Sequence, residues 1–162
     1  MSKAPSLAPE LRIEQWFNTE QPITLAGLRG KIVVLHAFQM LCPGCVAHAI
    51  PQARRLHELA RSTDLVVIGI HTVFEHHAAM TPVSLAAFLH EYRITFPVGV
   101  DERSVDGPIP KTMAAYRMRG TPSTIIVDRD GWLAHHSFGA EDDLELGLLL
   151  GRMLTSMTNP TS

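Results

Sequence analysis

Apolar residues occur along this chain in two alternating patterns. Ile32–Phe38, interrupted only by His36, and Leu65–Ile70 are continuous apolar runs of strand length, as expected of strands buried on both faces, and Phe96–Val100 reads as a shorter strand. Between them the spacing becomes helical. After Cys45, the residues Ala49, Ile50, Ala53, Leu56 and Ala60 share one stripe while Arg54, Arg55, Glu58 and Arg61 are free to face water, and Pro51 is expected to kink this helix. Pro82–Tyr92 carries Leu85, Phe88, Leu89 and Tyr92 on one face, with Thr81 as its cap and Pro82 in its first turn.

The rest of the chain follows the same alternation. A polar loop, Asp101–Pro110, leads to a short helix at Lys111–Tyr116, and Ser123–Val127 and Trp132–Ser137 form a hairpin around Asp128-Arg129-Asp130-Gly131. A final helix spans about Asp142–Met157, burying Leu146, Leu149, Leu150, Met153, Leu154 and Met157. Near the start, Ile13–Phe17 and Ile23–Leu25 read as edge strands and Leu25–Gly30 as a tight turn or single helical turn. Residues 1–10, rich in Pro and Ser, read as a flexible arm, and residues 11–160 as one domain without internal repeats. Strands and helices that alternate and then close with a hairpin and a helix predict an α/β fold with a central mixed sheet flanked by helices.

Composition narrows the functional classes. The chain has 162 residues, 46% hydrophobic and 19% charged, which suits one domain with a substantial core. A net charge of -2 provides no basic excess for phosphate binding, so no nucleic-acid partner is expected. No stretch is long and uncharged enough to span a bilayer, and the first ten residues have no apolar core of signal-peptide length, so the expected location is cytoplasmic.

The chemistry concentrates in the two cysteines, which form one motif, Cys42-Pro43-Gly44-Cys45, where a buried strand hands over to a helix. A helix start offers unpaired backbone N–H groups and a positive dipole end, which favour a thiolate, so Cys42 is the candidate nucleophile. Two intervening residues keep the sulfurs close enough to cycle between dithiol and disulfide. A structural zinc site normally needs four ligands, and no second pair of cysteines exists to complete one. Two inert core thiols or a metal clip are the alternatives.

A CxxC between a strand and a kinked helix, followed later by Gly120-Thr121-Pro122-Ser123 opening a hairpin, resembles the thioredoxin superfamily. Leu28-Arg29-Gly30-Lys31-Ile32-Val33-Val34-Leu35 is similar to the lead-in of its TlpA/ResA and redoxin branch. The resemblance spans about Ile13–Met157 and implies a thioredoxin-like fold and a thiol-disulfide oxidoreductase. It also implies a cis Thr121–Pro122 bond facing the dithiol, with Thr121 and Pro122 contacting an extended substrate. His36 takes the strand position where thioredoxins carry a buried acid. That position implies a proton acceptor for Cys45, the alternative being a core histidine tied to backbone carbonyls. His48 falls where some TlpA-like proteins place a glutamate. The kink proline, however, stands six residues after Cys45 here and five in the family, so a helical bulge or a solvated His48 is expected.

His71-Thr72-Val73-Phe74-Glu75-His76-His77 follows the second apolar strand. If that strand runs parallel to the first, this loop lies on the edge that carries Cys42, with Phe74 as a candidate substrate contact. Adjacent histidines point apart on a regular element, so neither His76 and His77 nor His135 and His136 predict a metal site. No flavin or nicotinamide fingerprint occurs, and no cofactor is expected. The expected partners are a protein or small-molecule disulfide as substrate and a protein or thiol as electron donor. Two other functions compete. One is a copper or other soft-metal carrier using both cysteines and a histidine of the loop after Ile70, although related carriers space their cysteines by three residues. The other is a peroxidase, weakened because Gln39 and Leu35 stand where peroxiredoxins place a hydroxyl residue and a proline.

Overall fold

The computed structural model describes residues 5–156. Ten elements carry the fold: β1 (Ile13–Phe17), β2 (Ile32–Phe38), α1 (Ile50–Leu59), β3 (Leu65–His71), α2 (Pro82–Glu91), β4 (Val98–Asp101), α3 (Lys111–Ala115), β5 (Ser123–Val127), β6 (Leu133–Phe138) and α4 (Asp143–Thr155). The six strands form one sheet in the order β1-β4-β3-β2-β5-β6. β2, β3 and β4 run parallel to their neighbours in that series, whereas β5, β6 and β1 pair antiparallel. All seven residues of β2 are buried, because it is central in the sheet and covered on both faces.

Alternation along β2 divides the core in two. Ile32, Val34 and Phe38 join a layer with Cys45, Ile50 and Ala53, together with Leu85 of α2 and Leu146 and Leu150 of α4. Val33, Leu35 and Ala37 face the opposite layer with Met113 and Tyr116 around α3. Three helices therefore cover the face toward which the dithiol helix turns, and α3 with the N-terminal segment covers the other. Gly69 on β3 permits this packing: a Cβ there would stand 2.9 Å from the Phe96 ring and 3.1 Å from both Phe38 and Val98.

Several expectations shift. Ile23–Leu25 forms no strand, because the Glu10 carboxylate accepts the Leu25 and Ala26 N–H groups at 2.7 and 3.2 Å. The strand expected from Phe96 begins at Val98, since Pro97 has no N–H for a ladder. Tyr92 lies past the end of α2, exposed and stacked on Phe88 at 4.4 Å, rather than on its buried stripe. Residues 6–8, expected in a loose arm, pair with the β5–β6 turn through Leu133 N–H to the Ser6 carbonyl and Ala8 N–H to the Gly131 carbonyl, both 2.9 Å. Leu146 and Leu150 of the last helix are buried as expected; Met157 lies outside the described residues.

The extra residue before Pro51 becomes a π-type turn. Cys45–Ala49 winds with five-residue spacing, closed by Ile50 N–H on the Cys45 carbonyl, and α1 continues from it without a break, with Pro51 at its second residue. Among the described residues no helix is long and apolar enough to cross a membrane.

Candidate active site

Cys42 is held at the hinge between β2 and the helix. Its N–H donates to the Gln39 carbonyl and its carbonyl accepts from Val46 N–H, both at 3.1 Å. Helical conformation begins at Pro43, so Cys42 immediately precedes the first turn, whose N–H groups have no partner within the helix. One of them, Cys45 N–H, donates to Cys42 Sγ at 3.3 Å. On its other side Cys42 Sγ donates to the Thr121 carbonyl at 3.5 Å. The Thr121–Pro122 bond is cis, and a Cβ on Gly44 would meet Pro122 Cδ at 3.5 Å. The helix start and the proline loop thus touch beside Cys42.

The two thiols, both free, differ in access. Cys42 is half-buried and Cys45 fully buried. Burial pushes the Cys45 thiol up to about 12, the neighbouring Cys42 reinforces this, and hydrogen bonds involving Gln39 and Thr121 oppose it. Cys45 therefore keeps its proton at neutral pH until something removes it, while Cys42 is the sulfur that a bulky disulfide can reach.

His36 occupies β2 between Val34 and Phe38, so its side chain faces the layer that contains Cys45. The ring is 2% exposed, and neither nitrogen has a hydrogen-bond partner. It is therefore not a core histidine tied to backbone carbonyls. Burial drives its pKa down to about 4, with the Glu141 carboxylate pulling the other way, so the imidazole is neutral near pH 7. His48, in the π-type turn, is exposed in a groove between α1 and the start of α4 that Gln52, Arg55 and Glu141 also line.

β3 runs parallel to β2 with Phe38 opposite His71, so the His71–His77 loop leaves the same sheet edge as the dithiol. His71 is buried and turned inward: its Nε2 accepts Met40 N–H at 3.3 Å, and burial drives its pKa to about 4. Gln39 fastens the loop, accepting Phe74 N–H at 3.2 Å and donating to Glu75 at 3.5 Å. Phe74 itself packs half-buried against the α3-side layer, whereas Cys42 packs against the other.

Two residues escaped the sequence reading. Gln39 drew notice only for lacking a hydroxyl, yet it links β2 to the loop. Glu141 stands in Gly139-Ala140-Glu141-Asp142-Asp143 and reads as part of an acidic helix start. Its carboxylate instead reaches back to β6, meeting His135 Nε2 at 2.5 Å and the Ser137 hydroxyl. Asp142 is the cap, accepting from Leu144 and Glu145 N–H.

Comparison with known proteins agrees with this fold. A solved thioredoxin-like superfamily protein is 55% identical, with a TM-score of 0.90 over 94% of this chain and 98% of that one. A thiol-disulfide isomerase from Corynebacterium glutamicum is 47% identical, with a TM-score of 0.88 over 93% of this chain and 98% of that one. Protein DipZ of Mycobacterium tuberculosis is 31% identical over 156 residues, 94% of this chain but only 21% of that much longer protein. Sequence similarity to the AhpC/TSA family extends over residues 3–136, and with the thioredoxin-like fold shared by those structures it shows that the chain belongs to the AhpC/TSA family.

Proposed function

We propose that the protein is a thiol-disulfide oxidoreductase whose Cys42–Cys45 pair cycles between dithiol and disulfide. Cys42 thiolate attacks a substrate disulfide and one half leaves as a thiol; Cys45 then attacks Cys42 Sγ, releasing the other half and closing the intramolecular disulfide. The reverse sequence oxidises a substrate dithiol with the same residues. The observation that carries this reading is the asymmetry of the pair. The half-buried Cys42 sulfur stands at the helix start between the Cys45 N–H and the Thr121 carbonyl, and its neighbour Cys45 is fully buried, which supports Cys42 as the attacking and Cys45 as the resolving thiol.

His36 is assigned the proton of Cys45 in the resolving step, and Thr121 and Pro122 the contacts to substrate, while Phe74, packed on the opposite layer from Cys42, is not assigned one. The substrate is a protein or small-molecule disulfide, the electron donor a protein or small thiol. A cytoplasmic setting is part of the proposal and rests on sequence alone. Neither competing reading gains a specific observation. Among the described residues no group of three or more His, Cys, Asp or Glu side chains is placed to hold a metal. Gln39, three residues before Cys42, bonds to Phe74 and Glu75 and has no hydroxyl to offer a peroxide.

The test is trapping. Cys45→Ser mixed with an aromatic disulfide should accumulate a mixed disulfide on Cys42, located by mass spectrometry of its peptides. Accumulation in Cys42→Ser instead would reverse the roles.

A further inference from the structure

One charged group on the dithiol face of the sheet has no part in the mechanism above. His36 stands opposite Thr124 on β5, and Thr124 opposite Ser137 on β6. Residues directly opposite on antiparallel strands share a face, so these three polar side chains form a row across a layer otherwise built from Ile32, Val34, Phe38 and Ile126. At about 4.8 Å per strand, the Ser137 backbone lies roughly 10 Å from that of His36. Beyond β6 the chain turns at Gly139, whose φ of 98° is the left-handed region, and brings Glu141 back over the end of this row.

Glu141 is fixed there. Its side chain is 11% exposed, Ser137 and His135 both bond its Oε1, and Gln52 of α1 donates to its backbone carbonyl at 3.0 Å. Burial alone would raise its pKa, but the bonds from His135 and Ser137 and the influence of His135 and His36 outweigh burial and hold the carboxyl below its usual range. A carboxylate is thus maintained beside a layer that contains a buried imidazole with no hydrogen-bond partner. Other ionisable groups around it are His135 on β6, His48 and Arg55 on the dithiol helix, and Asp142 and Asp143 at the start of α4. Of these, Asp143 is bonded to Gln52, and Asp142 caps its own helix.

We propose that Glu141 is a positioning residue of the resolving step, supplying the counter-charge that lets His36 accept the Cys45 proton. This deepens the proposed function and rests on its assignment of His36. In the step, the Cys45 S–H proton passes to an imidazole nitrogen of His36, and the Cys45 electron pair forms a bond to Cys42 Sγ. The bond from Cys42 to the substrate sulfur breaks, and that sulfur leaves with the bonding pair and takes up a proton. The dithiol loses two electrons and the substrate disulfide gains two. The imidazolium formed is a charge in an apolar layer, which is unfavourable without an opposite charge. Glu141 is the carboxylate bonded at the far end of the row that begins at His36.

The experiment is single-turnover kinetics with an aromatic disulfide, separating formation of the mixed disulfide from its resolution. Glu141→Gln, close in shape, should slow resolution about tenfold, equivalent to one pKa unit on His36, and leave formation within about twofold. Glu141→Asp, which keeps the charge, should retain most of the rate, whereas a purely structural role would make the two variants alike. NMR titration should show the His36 ring losing its proton at lower pH in Glu141→Gln than in the parent protein. In a His36→Leu background, Glu141→Gln should have no further effect on resolution. If Glu141→Gln leaves both resolution and the His36 titration unchanged while His36→Leu slows resolution, the proposal fails and the His36 assignment stands. If His36→Leu leaves resolution unchanged, the His36 assignment fails and the proposal with it, even where the titration still moves.

Discussion

Replacing His36 with leucine should make the protein less sensitive to acid while slowing its chemistry. The buried His36 ring binds a proton only near pH 4, against 6.5 for an ordinary histidine. Between those values the unfolded chain holds more protons than the folded one. The stability His36 confers by this linkage is therefore complete above pH 6.5 and is lost as pH falls toward 4. Integrating the two titrations gives a loss of about 2 kcal/mol between pH 7 and pH 5 and about 3 kcal/mol by pH 4. His71, driven to about 4 by the same burial, contributes a similar amount, so the parent protein should lose about 4 kcal/mol between pH 7 and pH 5 and His36→Leu about half of that. At pH 7 the leucine also removes a buried imidazole with no hydrogen-bond partner, a feature that costs about 1 to 3 kcal/mol, so the variant should be no less stable than the parent. Urea unfolding at pH 7, 6 and 5 measures both effects. An unchanged pH slope, or a loss of more than about 2 kcal/mol at pH 7, would refute a neutral, unpartnered His36.

Other outcomes follow from the packing and the site. Gly69→Ala should destabilise by about 1 to 3 kcal/mol, read by urea titration, because its Cβ would press on Phe96, Phe38 and Val98, which are all buried. Asp101→Ala should cost about 3 kcal/mol or more, since the carboxylate accepts from Thr112 N–H at 2.7 Å and from Met113 N–H and the Thr72 hydroxyl at 2.9 Å, and the three buried donors would be left unsatisfied. Iodoacetamide at neutral pH should label Cys42 well before Cys45, as peptide mass spectrometry would show; faster labelling of Cys45 would contradict its burial and raised pKa.

The legible part of this fold is the part governed by local rules. Ile32–Phe38, broken only by His36, and Leu65–Ile70 are apolar runs because their strands are covered on both faces, and Cys42-Pro43-Gly44-Cys45 is a contiguous motif, so both could be read directly. The departures come from partners distant along the chain. Ile23–Leu25 has a strand's composition, but its backbone donors are taken by Glu10. Tyr92 fits a helical stripe that ends one residue before it. The π-type turn showed as one surplus residue before Pro51, a signal that needs a family pattern to count against. Glu141 gave no signal, because an acid at a helix start looks like a cap. Its contacts depend on how the chain turns at Gly139.

The central claim is that Cys42 and Cys45 form one reversible two-electron couple, and equilibration in glutathione redox buffers tests it most directly. Alkylation of the remaining thiols followed by intact-mass measurement should show a single transition between dithiol and intramolecular disulfide. Its slope should be about 30 mV per tenfold change in the oxidised-to-reduced ratio, and the transition should be absent in both Cys42→Ser and Cys45→Ser. A pair that stays reduced across the buffer range, or that only collects glutathione on one cysteine, would contradict the account.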